Sequence, residues 1–213
     1  MRTLSVETPT HGRVLVRDAA HAVGTLVGFH GYGMSAEPML SDLERVPGIE
    51  RWQIVSVQAL HRFYAKDSQT VLASWMTKQD RELAIADNVE YVNRVLDGVA
   101  PAATIVFAGF SQGVAMAYRA ALLGRHTAAG IIALGGDVPP EFKTAAPRRW
   151  PPVLIRAGDA EVWYTDTKVR ADEAALAAQG VACEVIRYRG GHEWTDAFRD
   201  AVARALERMR ARA

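Results

Sequence analysis

The chain has 213 residues, 49% hydrophobic and 23% charged, which is enough for one well-filled core and too few for two ordinary domains. Its 25 basic and 24 acidic residues leave a formal net charge of +1, which excludes a global field that would gather nucleic acid or an anionic membrane surface. No stretch approaches the ~20 apolar residues of a membrane span, and the N-terminus lacks the apolar run of a secretion signal. We therefore expect a soluble, cytoplasmic protein with a single domain over residues 1–213 and no membrane span.

Short apolar runs alternate along the chain with longer segments of helical period. In chain order, the strand candidates are RVLVRD, GTLVGFH, WQIVSVQ, ATIVFAG, GIIALGG, PVLIRAG and CEVIRYR. Most are apolar along nearly their whole length, as expected for strands buried on both faces. The alternation predicts an α/β fold, with a mostly parallel sheet flanked by helices.

The second strand candidate ends in His30-Gly31-Tyr32-Gly33. Its two glycines permit a tight turn that brings the backbone close to the edge of the sheet. The backbone N–H of Tyr32 is then a candidate donor to a developing negative charge. The alternative is an ordinary loop in which His30 forms only local hydrogen bonds.

A long connection, ALHRFYAKDSQTVLASWMTKQ over residues 59–79, follows the third strand candidate. It exceeds the usual strand-to-helix loop of about 2–6 residues, and loops of such length are often functional. The overlapping segment TKQDRELAIADNVEYVNRVLDG predicts a helix, in which Gly98 stands where a C-terminal cap would lie. The apolar face of this helix is formed by Ile85, Val89, Val92 and Leu96.

The segment TIVFAGFSQGVAMAYRAALLG places G-x-S-x-G between an apolar strand and a helix, with Ser111 at its centre. A serine on a sharp strand-to-helix turn needs neighbours without side chains two positions away, and Gly109 and Gly113 meet that need. The turn would expose the Ser111 hydroxyl beside the N-terminus of the helix, where free backbone N–H groups stabilise negative charge. The N–H of Gln112 is accordingly a second candidate donor. The alternative is a packing turn that contains a serine by chance.

Two carboxylates, Asp159 and Glu161, follow the strand candidate PVLIRAG in the segment AGDAEVWYT. Either side chain would lie beyond the carboxyl end of a strand, where sites of open α/β sheets form. The aromatic residues that come next, Trp163 and Tyr164, are candidates to line a substrate pocket. Phe63, Tyr64 and Trp75 are weaker candidates, because they depend on the long connection folding over the site. Core packing is the alternative for each aromatic residue.

His192 follows the last strand candidate and two glycines in CEVIRYRGGHEWTDAF. It directly precedes a segment of helical period whose apolar stripe would anchor the imidazole; this stripe comprises Trp194, Phe198, Ala201, Ala205 and Met209. His192 is therefore the candidate general base, and the alternative is a helix-terminal residue without a role. Cys183, the single cysteine, is interpreted as a small core residue.

The sequence contains no H-E-x-x-H motif, no clustered Cys and His residues, and no G-x-x-x-x-G-K-[ST] motif. It also lacks a G-x-G-x-x-G motif after the first strand. We therefore expect neither a metal nor another cofactor. The oligomeric state is not indicated by the sequence.

In this order and spacing, HGYG, GFSQG and GGHEW resemble the phospholipase/carboxylesterase family of α/β-hydrolases, which includes acyl-protein thioesterases. The resemblance spans the chain from about Val14 to the last helix. The family's elbow typically reads GFSQGG, and here Val114 stands at its last position. The resemblance implies an α/β-hydrolase fold without a large cap domain, no cofactor, and an oxyanion role for the N–H groups of Tyr32 and Gln112.

The resemblance also implies hydrolysis of esters or thioesters through an acyl-enzyme on Ser111, with His192 as base. In the family, the catalytic acid is typically an Asp three residues after a glycine, and that spacing from Gly158 favours Glu161, with Asp159 as the open alternative. Glutamate in place of the usual Asp is a departure from the family. The alternatives are a non-catalytic ligand-binding protein of the same fold and a lipase or peptidase of the same fold.

Overall fold

The computed structural model describes residues 1–67, 69–144 and 149–212. The strands are β1 (Arg13–Arg17), β2 (Thr25–Phe29), β3 (Gln53–Gln58), β4 (His61–Tyr64), β5 (Val71–Ser74), β6 (Ile105–Phe110), β7 (Ala128–Leu134), β8 (Val153–Gly158) and β9 (Cys183–Tyr188). The helices are α1 (Ala36–Glu44), α2 (Arg81–Val99), α3 (Gln112–Leu123), α4 (Pro140–Lys143), α5 (Asp166–Ala178) and α6 (Asp196–Arg210), and a 3-10 turn spans Ile49–Arg51.

A seven-stranded sheet runs in the order β1-β3-β2-β6-β7-β8-β9. Strand β1 is antiparallel to β3, and every other pair of neighbours is parallel. All seven strand candidates of the sequence lie in this sheet. The predicted α/β-hydrolase fold with a mostly parallel sheet is confirmed.

Helices cover both faces of the sheet, and this explains the continuously apolar strands. Alternate residues of β2 point to opposite sides, because Val27 and Phe29 belong to one apolar cluster and Leu26 to the other. Helices α2, α3 and α5 pack on the first side, whereas α1 and α6 pack on the second. Each inner strand therefore contributes apolar side chains to two cores.

Helix α2 confirms its predicted apolar face, because Ile85, Val89, Val92 and Leu96 are buried. The prediction that Gly98 caps this helix is wrong. The helix continues to Val99, and Ala100 is its C-cap, with a left-handed φ of 48°. An alanine takes the conformation that usually favours glycine, while Gly98 lies in the last turn.

The long connection of residues 59–79 contains a short antiparallel hairpin, β4 and β5. Residue 68, which lies between β4 and β5 in the sequence, is outside the described residues. The hairpin is joined to the loop after β2, because Gly33 N–H donates to Ala73 O at 3.0 Å and Ala73 N–H donates to Met34 O at 2.9 Å. Strand β5 therefore lies beside the loop that leaves the carboxyl end of β2.

Among the residues described, no helix is both long enough and apolar enough to cross a membrane.

Candidate active site

Ser111 lies between β6 and α3 with φ at 53°, in the left-handed region that non-glycine residues rarely adopt. Its backbone N–H donates to Leu134 O of β7 at 2.8 Å. The two flanking glycines are required by space: a Cβ on Gly109 would lie 2.4 Å from Gly113 O, and one on Gly113 would lie 2.0 Å from Phe29 O. The strained turn predicted from G-x-S-x-G is therefore present.

The imidazole of His192 contacts the carboxylate of Glu161, with 2.6 Å between Nδ1 and Oε2. The Glu161 side chain is 2% exposed, whereas the His192 side chain is 22% exposed. A buried carboxylate thus holds one nitrogen of a ring that is still open to solvent. A carboxylate and an imidazole in this geometry can act chemically as an orienting acid and a general base.

The second carboxylate of the pair, Asp159, does not contact His192. Its Oδ1 accepts a hydrogen bond from Gly190 N–H at 3.0 Å, and its own N–H donates to Tyr188 O at 3.1 Å. These bonds tie the loop after β8 to the loop that carries His192. The geometry accordingly brings Glu161, and not Asp159, to the imidazole.

The other oxygen of Glu161 is also bound, because Trp163 N–H donates to Oε1 at 2.8 Å. Burial raises the pKa of this carboxyl, but the hydrogen bonds from Trp163 N–H and from His192 outweigh burial and hold the pKa below its ordinary value. An ionised carboxylate only accepts hydrogen bonds, so His192 Nδ1 carries the proton. The other ring nitrogen, Nε2, is then free to accept one.

His192 lies against Phe110, the residue that precedes Ser111, at the end of the sheet. The ring of Phe110, next to Ser111, packs on the His192 ring with 4.8 Å between centroids. Strand β7 lies between β6 and β8, and after it Gly135 turns with φ at 69°. A Cβ on Gly135 would lie 2.8 Å from His192 Cε1 and 3.3 Å from Glu161 Oε2, so only a glycine leaves room for the pair.

The loop after β2 lies beside Ser111. A Cβ on Gly31 would be 3.2 Å from Ser111 Cβ. The parallel register pairs Phe29 with Gly109, so both loops emerge from neighbouring strand ends. Tyr32 therefore lies in the segment that borders Ser111. Gln112, as the first residue of α3, has a backbone N–H without a partner inside the helix.

His30 has a structural role that its position in HGYG does not reveal. Its Nε2 accepts Ala59 N–H at 3.0 Å, so the proton is on Nδ1, which donates to Gly31 O at 2.7 Å. Burial lowers the pKa of His30, the largest effect on this side chain, and favours the neutral ring. The Trp75 indole N–H donates to His30 O at 2.8 Å. This buried pair fixes the loop that contains Tyr32.

The side chain of Gln112 ties α3 to the end of the hairpin, a contact that the sequence does not predict. Its Oε1 accepts Trp75 N–H at 2.9 Å, and its Nε2 donates to Met76 O at 3.1 Å. An amide with one acceptor and two donors suits this double contact. The only sign of this contact in the sequence is the glutamine at the fourth position of G-x-S-x-G. Its partners, Trp75 and Met76, are set by the tertiary structure.

The aromatic candidates for the pocket divide into exposed and buried residues. Trp163 is 69% exposed on the loop after β8. The prediction that Tyr164 lines the pocket is wrong, because its side chain is 1% exposed in the core and its hydroxyl donates to Asp172 Oδ2 at 3.1 Å. Trp75 is likewise fully buried. Phe63 and Tyr64 are exposed on β4, and the Phe63 ring stacks on Tyr32 with 5.8 Å between centroids.

The described part of the chain contains no group of three or more His, Cys, Asp or Glu side chains placed to hold a metal ion.

A family model described as Phospholipase/Carboxylesterase matches residues 11–203. Among solved structures, Zea mays acyl-protein thioesterase 2 has a TM-score of 0.73 and 19% identity, over 94% of this chain and 100% of that one. Esterase PE8 has a TM-score of 0.72 and 21% identity, over 94% and 100%. The Bacillus cereus carboxylesterase has a TM-score of 0.67 and 15% identity, over 93% and 94%. No curated protein sequence matches the chain significantly.

Proposed function

This chain belongs to the phospholipase/carboxylesterase family of ester hydrolases, and on that premise we propose that it cleaves carboxylic esters or thioesters of small or medium acyl groups through an acyl-enzyme on Ser111. The observation that carries the proposal is the 2.6 Å contact between His192 Nδ1 and buried Glu161 Oε2, beside a serine held at φ 53°. A strand-to-helix turn that served only for packing would require neither the positive φ of Ser111 nor the Glu161–His192 pair.

In the proposed mechanism, His192 Nε2 takes the proton of the Ser111 hydroxyl as Oγ attacks the acyl carbonyl. Glu161 holds Nδ1–H and stabilises the imidazolium that forms. The N–H groups of Gln112 and Tyr32 would stabilise the oxyanion. His192 then protonates the leaving alcohol or thiol. In the second half, His192 Nε2 takes a proton from water as the water oxygen attacks the acyl-enzyme, and it returns a proton to Ser111 Oγ as the bond to the acyl group breaks and the acid is released. The protein's own side chains and backbone N–H groups, together with water, supply each of these steps, so the proposal includes no cofactor.

The substrate is proposed to be a small molecule that lies across the exposed aromatic side chains near Ser111. Trp163 lies on the loop after β8, which also carries Glu161, while Tyr32, on the loop after β2, stacks on Phe63 of β4. Apolar surface of this kind suits an acyl group, because ligand sites are mostly apolar with few polar anchors.

A fluorophosphonate probe tests the nucleophile. We expect it to label wild-type protein but not Ser111→Ala, with both variants folded by circular dichroism. A panel of p-nitrophenyl esters and acyl thioesters of increasing chain length then defines the substrate class. A folded wild-type protein that neither labels nor hydrolyses any member would overturn the proposal and favour a binding protein of the same fold.

A further inference from the structure

Arg156 is a charged side chain in the middle of the apolar strand β8. It is 1% exposed. Within the described residues, its Nε and Nη1 have no hydrogen-bond partner, and its Nη2 lies 3.4 Å from Thr195 Oγ1, at the long limit of a hydrogen bond. Burying a cation without a paired anion is costly, so its contacts should explain why the strand contains it.

The guanidinium stacks on an aromatic ring. Its Cζ lies 3.3 Å from the centre of the Tyr188 ring and 5.6 Å from that of Phe198. A ring face attracts a cation, and this attraction grows when water is excluded. The planar guanidinium can lie flat on the ring, which an ammonium group cannot do.

Two of the residues around Arg156, Tyr188 and Thr195, lie at the two ends of the loop that carries His192. Tyr188 is the last residue of β9, and Thr195 is the N-cap of α6. The Tyr188 hydroxyl donates to Gly191 O at 2.6 Å, next to His192. The stack therefore fixes the ring whose hydroxyl holds the backbone immediately before the imidazole.

Resting on the function proposed above, we propose that Arg156 is a positioning residue for His192, which holds both ends of its loop and places a buried positive charge near the Glu161–His192 pair. It touches neither substrate nor reacting atoms. Its guanidinium plane sets the geometry of the loop, and its charge favours the ionised form of Glu161.

The charged groups around Arg156 support the electrostatic part of the proposal, in which its positive charge favours the ionised form of Glu161. Burial lowers the pKa of its guanidinium to about 10, whereas Tyr188, Glu193 and Glu161 raise it and Arg199 of α6 lowers it. The side chain is therefore protonated at neutral pH. Removing a cation raises the affinity of neighbouring groups for protons, so the acid limb of kcat/KM should move to higher pH when Arg156 is replaced by a neutral residue.

The test compares Arg156→Met and Arg156→Lys with the wild type. Arg17→Met is the matched control, because Arg17 also has an unpartnered Nε and its Nη2 donates to two backbone carbonyls, but it lies on β1 at the opposite edge of the sheet. Active sites are counted with the fluorophosphonate probe, and kcat and KM for a p-nitrophenyl ester are measured across pH. Dividing the rate by the concentration of labelled active sites removes any loss of activity that is due only to unfolded protein.

For Arg156→Met, we expect kcat per active site to fall by about 10-fold or more, since small misplacements of a catalytic group cost about that much, with KM little changed. Its acid limb should move to higher pH. Arg156→Lys should also have a lower kcat, because the planar guanidinium is lost. It should keep the wild-type acid limb of kcat/KM, because the positive charge is retained. Arg17→Met should match the wild type in both respects.

Wild-type kcat and pH profile in Arg156→Met would overturn this inference while leaving the proposed hydrolase intact. If Arg156→Met does not fold, Arg156→Lys decides, and wild-type kcat in that variant would overturn the positioning role. An inactive, unlabelled wild-type protein would instead overturn the proposed function, and this inference with it.

Discussion

At the scale of single residues, the candidate site depends on which of two nearby carboxylates contacts the imidazole. Glu161 bonds to His192, while Asp159 bonds to Gly190 N–H, although only one residue separates them. The difference comes from the turn after β8, where Glu161 N–H donates to Gly158 O at 3.3 Å. This turn directs the longer side chain inward and the shorter one along the loop.

Glu161→Gln should lower kcat by about 10²-fold or more, because an amide can no longer hold the required tautomer of His192. Asp159→Asn should change kcat little, since the amide oxygen can still accept Gly190 N–H. Steady-state kinetics on a p-nitrophenyl ester measure both. The reverse ranking would make Asp159 the orienting acid.

Gly135→Ala should lower both activity and stability, because its Cβ would lie 2.8 Å from His192 Cε1 and its φ is 69°. Gly180→Ala is the matched control, since its φ is also 69° but no atom lies within 4 Å of the added Cβ. Both should lose about 1–2 kcal/mol of unfolding free energy through backbone strain. Only Gly135→Ala should also lose kcat, and equal kinetics in the two variants would contradict the proposed place of His192.

Much of the site could be predicted at this scale, and the limits are physical. Gly109, Ser111 and Gly113 are linked by local sterics, so their pattern is visible in the sequence. Whether Tyr164 faces a pocket or the core depends on Asp172, which lies on α5 and accepts its hydroxyl. The preference for Glu161 over Asp159 came from family resemblance, because no local rule separates them.

At the scale of elements, the strands were more predictable than the boundaries of the helices. Each sheet strand has a continuous apolar signal because it is buried on both faces, whereas helix ends depend on weak local preferences. The hairpin β4–β5 was not recognised, since β4 is exposed along its whole length and lacks an apolar alternation. Its order comes from contacts with the loop after β2 and with Gln112.

Gly98→Ala should stabilise the protein by about 0.5–1 kcal/mol, because a glycine inside a helix is less favourable than an alanine. Helix α2 continues through this position to Val99, and no atom lies within 4 Å of an added Cβ. Urea unfolding should show a higher midpoint with an unchanged m-value and unchanged activity. A lower midpoint would mean that Gly98 ends the helix after all.

At the scale of the whole molecule, the loops of the candidate site all leave the carboxyl ends of adjacent parallel strands. Strands β2, β6, β7, β8 and β9 are consecutive in the sheet. The segments that follow them contain Tyr32, Ser111, Gly135, Glu161 and His192, respectively. The sheet thereby brings residues that are far apart in the chain to one edge. The geometry of the site therefore depends on the stability of the whole sheet.

Acid should weaken the fold partly through Glu141, which pairs with Arg119 at 2.8 Å, an arginine whose side chain is only 3% exposed. Burial raises the pKa of Glu141, but its own backbone N–H and the two arginines Arg119 and Arg81 hold the pKa below the ordinary value of 4.5. Its stabilising contribution is thus complete above that value and is lost as the pH falls through the lowered pKa of the folded state.

Glu141→Gln should lower the unfolding free energy at pH 7 by about 1–3 kcal/mol, since it leaves a buried charge without its partner. The difference in unfolding free energy between Glu141→Gln and the wild type should shrink as the pH falls below 4.5, as measured by urea titrations at several pH values. Glu82→Gln is the control, because Glu82 is 82% exposed in its pair with Arg81. A constant gap across pH would contradict this role.

The single thiol has a practical consequence for assays of thioester cleavage. Cys183 is half-buried at the edge of the sheet, and burial raises the pKa of its thiol to about 11, so its reactive thiolate is scarce at neutral pH. A chromogenic disulfide reagent should therefore detect the thiol product of thioester cleavage without a background signal from Cys183. The same inertness would allow a fluorophore to be attached to a cysteine introduced elsewhere, with the native residue left in place.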